Sequence, residues 1–267
     1  MDNRPIGIFD SGLGGLTAVK ALRRLMPEEN IIYFGDTGRM PYGGRSVEQL
    51  RRMTHQDLAF IGSFGVKAVI AACGTVSSNA GDILESYSLP VVGVLKAGTE
   101  ALARTGGQDR AAVIATLASI DSGSFARAFA QAAPGRALMS VACPALVPLI
   151  ESGHTAADDP ALLAALEEYL RPIQEAGVSA LLLGCTHYGI IRSAVAAVLG
   201  PDVALVGASE SAAREMRALL TDDHRTGGEG REEYYTSGSV DAFTAAASAF
   251  LGRGIEGRVM QAPLMEV

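Results

Sequence analysis

Apolar residues in this chain fall into short continuous runs, separated by stretches whose apolar positions recur at helical spacing. Residues 6–9, 31–35, 68–72 and 91–95 are runs of the first kind and predict buried strands. Leu16, Val19, Leu22 and Leu25 share one helical face and predict a helix over 16–26. A second helix is expected over 47–65, with Ser46 and Gln49 as a capping box at its start. Lys96-Ala97-Gly98 reads as a crossing into a second series. That series comprises a strand at 111–116, a helix near 123–133, a strand near 137–142 and helices near 144–152 and 159–176. Strands at 180–183 and 203–206 complete it. Residues 221–232 are polar and Gly-rich and read as a loop, before a strand at 233–236 and a helix at 240–251.

Strands alternating with helices predict parallel sheets flanked by helices. Because the alternation occurs twice, the expected fold is α/β with two pseudosymmetric lobes and the site in the cleft between them. One lobe would hold 1–97 with 208–267, the other 98–207. A length of 267 residues allows a sizeable core. The net charge of −7 argues against a broad nucleic-acid footprint. No apolar run approaches the roughly 18 residues of a membrane span, and residues 1–5 do not resemble a signal peptide. Three cysteines are too few for a disulfide scaffold, so the expected compartment is the cytoplasm, with free thiols.

Two of those thiols end apolar runs in different halves, in Cys73-Gly74-Thr75 and Cys185-Thr186-His187. The carboxyl ends of strands are where open α/β sheets place ligands. Three readings compete: inert buried thiols, half of a metal site, and acid–base or nucleophilic catalysis. The absence of CxxC and HExxH weakens the second. Nearby His187 and two expected helix starts favour the third, since both lower a thiol pKa. Cys143, before Pro144, lacks polar followers and reads as structural, while His55, His154 and His224 read as surface or satisfied core histidines. Asp10-Ser11-Gly12-Leu13-Gly14-Gly15 suggests a phosphate loop, with Asp36 placed like a ribose-binding acid. The glycine pattern fails at Thr17, however, and a tight strand-to-helix turn would account for the glycines alone. Asp10 and Ser11, polar at a strand tip, favour a functional role.

Together, residues 7–16, Pro41-Tyr42-Gly43, Cys73-x-Thr75 and 184–188 resemble the glutamate racemase family of the aspartate/glutamate racemase superfamily, over about residues 6 to 250. The resemblance implies interconversion of L- and D-glutamate for peptidoglycan, without cofactor or metal. It implies that Cys73 deprotonates D-glutamate and Cys185 L-glutamate, with Asp10 and His187 orienting the thiols. Glu151 matches an assisting carboxylate. Ser11, Tyr42, Gly43, Thr75 and Thr186 match positions that hold the substrate's ammonium and carboxylates, and Pro41, Gly74 and His187 lie beside them. A cytoplasmic homodimer without nucleic-acid or membrane partners is expected, and the short N-terminus suggests that an activator-binding extension is missing. Two positions depart from the family: Gly74 stands where it usually has Asn, and Ser119 where Thr is common. Losing the carboxamide would weaken binding by about 0.5–1.5 kcal/mol, so Gly74→Asn is expected to lower KM. The rival readings are a racemase of the superfamily acting on aspartate or a related amino acid, a nucleotide-binding or sensory α/β protein, and a catalytically silent relative.

Overall fold

A computed structural model describes residues 2–105, 110–220 and 229–263. The innermost strands are β1 (Ile6–Asp10), β2 (Ile31–Gly35) and β3 (Ala68–Ala71), buried at every position. Parallel strands covered by helices on both faces require such uniformly apolar sequences. With β4 (Val91–Gly93), β9 (Glu232–Thr236) and β10 (Val259–Gln261) they form a six-stranded sheet of order β10-β9-β2-β1-β3-β4. The second sheet contains β5 (Arg110–Ala115), β6 (Ala137–Ala142), β7 (Ala180–Leu183) and β8 (Ala204–Gly207), in the order β6-β5-β7-β8. All the pairings are parallel.

The order β2-β1-β3-β4 is repeated as β6-β5-β7-β8. Register carries the repeat through to the site. Phe9 pairs with Ala71 and Ile114 with Leu183, so Cys73 and Cys185 each lie two residues beyond an equivalent pair.

Helices α1 (Leu16–Leu25) and α2 (Val47–Gly62) form as the spacing predicts, and Ser46 and Gln49 exchange both capping-box bonds. The crossing differs from expectation. β4 stops at Gly93, and residues 96–98 lie inside a helix, α5 (Val94–Arg104). The apolar run 91–95 therefore spans the end of a strand and the start of a buried helix, which hydrophobicity alone cannot separate. The return to the first sheet is also helical, through α11 (Ala208–Leu219), which packs on α5. Glu232 belongs to β9 rather than to the loop before it, its carboxylate held by Arg23 at 2.8 Å and Tyr234 at 2.8 Å. Residues 221–228 of that expected loop lie outside the described residues. β10 was not expected; three residues are too few for periodicity to register.

One buried cluster runs from Ile8 and Ala68 through Val94 and Leu102 of α5 and Met216 of α11 to Val113 and Leu182. The two sheets thus share a continuous core. Leu50, Met53, Leu58 and Ile61 of α2 cover the outer face of the first sheet. Leu162, Leu166, Leu170 and Ile173 of α9 (Pro160–Glu175) cover that of the second.

Candidate active site

Asp10 ends β1 almost fully buried, and its Oδ2 accepts from the N–H groups of Gly12 at 3.2 Å and Gly15 at 2.9 Å. The bend that brings those donors round needs glycine, because a Cβ on Gly15 would lie 2.6 Å from that of Asp10. Burial raises the pKa of Asp10, while the charge of His187 and the two N–H groups oppose the rise. Cys73 is the N-cap of α3 (Gly74–Asn79), and its Sγ lies 3.7 Å from Ser11 Oγ. Burial, then the neighbouring Asp10 carboxylate, pushes the thiol up to about 12, against the pull of the Val76 N–H.

Cys185 occupies the equivalent place at the end of β7, before a single 3-10 turn, Thr186–Gly189. Its partners differ. His187 Nδ1 lies 3.8 Å from the sulfur, and His187 Nε2 lies 3.1 Å from Glu151 Oε1 at the end of α8 (Leu146–Glu151). Burial opposes a charged imidazole, but hydrogen bonds to Cys185 and Glu151 outweigh it, aided by the charges of Cys185 and Asp10. Together they carry His187 up to about 10. One thiol thus faces a carboxylate and the other a protonated imidazole.

Both thiols line one cavity of about 460 Å³, together with Asp10, Ser11, Pro41, Tyr42, Gly43, Gly74, Thr75, Thr186, His187 and Glu151. Every site residue that the racemase resemblance implies lines this space, whereas Asp36, the ribose-acid candidate, does not. Met40, Leu117, Thr116, Ser119 and the α8 residues Val147 and Pro148 also line it, and the sequence reading did not place them there. Thr116 had a signal: it follows Ile114 as Ser11 follows Phe9, so the duplication puts it at the tip of β5. Tyr42 borders the cavity, with its hydroxyl bonded behind the wall to Asp36 and Asp57.

The Gly-rich loop also acquires a reason. A Cβ on Gly14 would lie 2.4 Å from His187 Nδ1 and 2.6 Å from Thr186 Oγ1, so this glycine lets the first loop pack on the second cysteine turn. Thr17, which breaks the dinucleotide pattern, ties the halves together. Its Oγ1 lies 2.6 Å from Ser209 Oγ and 3.2 Å from the Thr186 carbonyl. Gly74 packs the same way, since a Cβ there would meet the Gly184 carbonyl oxygen at 2.9 Å.

Among the described residues, no group of three His, Cys, Asp or Glu side chains is placed to hold a metal ion. Cys143 is buried outside the cavity, its carbonyl accepting from Tyr188 at 3.1 Å. His55 is exposed and His154 pairs with Asp159 at 2.9 Å, while His224 lies outside the described residues. No helix among the described residues is long and apolar enough to cross a membrane.

Residues 17–216 match the family model for Asp/Glu/Hydantoin racemases. The chain belongs to this family. A glutamate racemase from Thermus thermophilus is 41% identical over 255 residues, which cover 94% of each chain. Among solved structures, a glutamate racemase isoform from Bacillus anthracis superposes with a TM-score of 0.93 at 30% identity, over 99% of each chain. A glutamate racemase from Francisella tularensis, solved with D-glutamate, gives a TM-score of 0.89 at 34% identity, also over 99% of each chain. The chain is thus a racemase.

Proposed function

We propose that this racemase interconverts L- and D-glutamate by proton transfer between Cys73 and Cys185, with no cofactor or metal taking part. The observation that carries the reading is the placement of two thiols at equivalent register positions in one cavity, with unlike partners. The glutamate racemases that match nearly the whole chain support the substrate. In this mechanism one thiolate takes the α-proton, and the electron pair left behind is delocalised into the α-carboxylate. The opposite thiol then gives its proton to the other face of the α-carbon, so each turnover exchanges the thiol and thiolate roles. Cys73 removes the proton of D-glutamate and Cys185 that of L-glutamate. In the free protein, the burial that pushes Cys73 up to about 12 holds it as the thiol, the form that donates when L-glutamate reacts. Asp10 is the polar neighbour of Cys73, and His187 with Glu151 serves Cys185. Ser11, Thr75, Thr186 and the 41–43 segment hold the substrate's charged groups.

The lobes of this reading are 1–97 with 208–267, and 98–207, with one boundary inside α5 and the other where α11 begins. The protein acts as a cytoplasmic homodimer, and its D-glutamate enters peptidoglycan.

The test is a circular-dichroism assay in D2O with both enantiomers of glutamate and of aspartate. Decay of optical activity with α-deuterium incorporation is expected for glutamate. Exchange with aspartate alone would move the substrate, and no exchange with either would defeat the reading. Cys73→Ser and Cys185→Ser are each expected to lower kcat by about 10²–10⁴, the usual weight of a positioned acid or base. Indifference to both would favour the nucleotide-binding or silent alternatives.

A further inference from the structure

Behind the cavity wall formed by residues 40–44 lies a sealed group of ionisable side chains. Asp36 follows β2, Asp57 faces inward from α2, and Arg39 lies between them, with exposures of 0, 0 and 3%. Arg39 Nε donates to Asp36 Oδ2 at 2.6 Å and Nη2 to Asp57 Oδ1 at 2.8 Å, while Nη1 reaches Gln56 Oε1. The Tyr42 hydroxyl touches Asp36 Oδ2 and lies 2.9 Å from Asp57 Oδ2. Ser237 Oγ donates to Asp36 Oδ1 at 2.6 Å. Two further charged groups border the cluster: the Asp10 carbonyl accepts from the Asp36 N–H at 2.9 Å, and Arg45 Nη2 donates to the Arg39 carbonyl at 2.9 Å.

Counting protons decides the state of this cluster. A phenol carries one proton and serves one acceptor. Two ionised carboxylates on one buried phenol would leave one contact with lone pairs facing each other and no proton between them. A phenolate is no escape, because burial, then Asp57 and Asp36, pushes Tyr42 well above the usual phenol range. One of the carboxyls therefore carries the second proton. Asp36 already accepts from Arg39 Nε and from Ser237, whereas Asp57, apart from the shared phenol, accepts among the described residues only from Arg39 Nη2. Burial, then Asp36, pushes Asp57 the same way, well above the carboxylate range.

We propose that Asp57 is a neutral carboxylic acid that donates to the Tyr42 oxygen while Tyr42 donates to Asp36, and that this relay makes Asp57 and Arg39 positioning residues for the wall at 40–44. The inference rests on the reading that this wall holds substrate. Neither side chain touches the cavity, so both act through Tyr42 and the loop around it.

The test compares wild type, Asp57→Asn and Asp57→Ala by KM and kcat for L-glutamate and by thermal unfolding. A carboxamide reproduces the neutral acid, with N–H for Tyr42 and C=O for Arg39, so Asp57→Asn should keep KM within about twofold. Asp57→Ala should raise KM by about tenfold, the equivalent of about 1.4 kcal/mol, with kcat changed by less than about threefold. A loss in Asp57→Asn as large as in Asp57→Ala would show that the ionised form is required and overturn the proposal. An unchanged KM in folded Asp57→Ala would overturn the positioning role. Should wild type leave glutamate untouched, the functional reading falls, but the unfolding midpoints still decide the proton. Asp57→Asn matching wild type then supports the neutral acid, and Asp57→Asn as unstable as Asp57→Ala overturns it.

Discussion

Gly74 shows how a single residue changes meaning once its neighbours are known. By sequence alone, the missing carboxamide is a lost substrate contact that Gly74→Asn would restore. The structure packs this backbone against the backbone just before the second cysteine, where a Cβ would come within 2.9 Å of the Gly184 carbonyl oxygen. Backbone on both sides leaves no flexible group to yield, so any side chain must push the two cysteine turns apart. We therefore predict that Gly74→Asn and Gly74→Ala both lower kcat/KM for glutamate, by about tenfold or more, since proton transfer is sensitive to displacements near 1 Å. Steady-state kinetics on both variants will check this, and a lower KM in Gly74→Asn would sink it.

His187 makes the second residue-scale prediction. Its pKa is about 10 in the folded protein against an ordinary value of 6.5, so the folded form binds the extra proton between those values. The stabilisation from this proton is complete below pH about 6.5 and disappears as pH rises through about 10. In urea unfolding at pH 6, 8 and 9.5, the wild-type midpoint should fall with rising pH by more than that of His187→Gln. Parallel slopes would remove His187 as the cause. That Cys73, Cys185, Asp10 and His187 belong together was legible from their positions at strand ends. The resemblance added Glu151, but the contacts themselves were not legible, because Glu151 meets His187 and Asp10 lies beside Cys73 through tertiary packing that no local pattern encodes.

At the level of elements, pattern worked where the chain kept one period and failed at junctions. The capping box of α2 and the buried strands β1 to β3 were readable because their signals are local. The start of α5 was not, since Val91 to Leu95 is apolar throughout and changes period without a polar break. The contact between α1 and α11 was equally hidden, because it depends on partners 192 residues apart. Thr17 joins those helices through Ser209 and reaches the Thr186 carbonyl beneath the second cysteine turn. Thr17→Val keeps the shape and removes these bonds, stranding Ser209 Oγ in a buried setting. The expected cost is about 1–3 kcal/mol, or roughly 2–10 °C in Tm for a chain of this size. Differential scanning calorimetry reads the shift directly, and an unchanged Tm would mean that the helices hold each other without this hydroxyl.

For the whole molecule, the repeated strand order explains how two thiols come to face one substrate: each half brings its own β–turn–helix unit to a shared cavity. The repetition of strands and helices was visible in the sequence. The closeness of the two turns was not, because it is set by glycines 14, 74 and 184, whose partners are backbone and side chains of the opposite half or a neighbouring strand.

The same topology has a consequence for a chain emerging from the ribosome. All four strands of the second sheet lie between residues 110 and 207, so that sheet can close as soon as its own segment is made. The first sheet must wait. From the time Ile31–Gly35 is synthesised until Glu232–Thr236 arrives to pair with it, β2 carries a bare edge of unpaired backbone groups. The earliest strands are thus the last to be sealed, and nascent chains are open to edge-to-edge association for most of their synthesis.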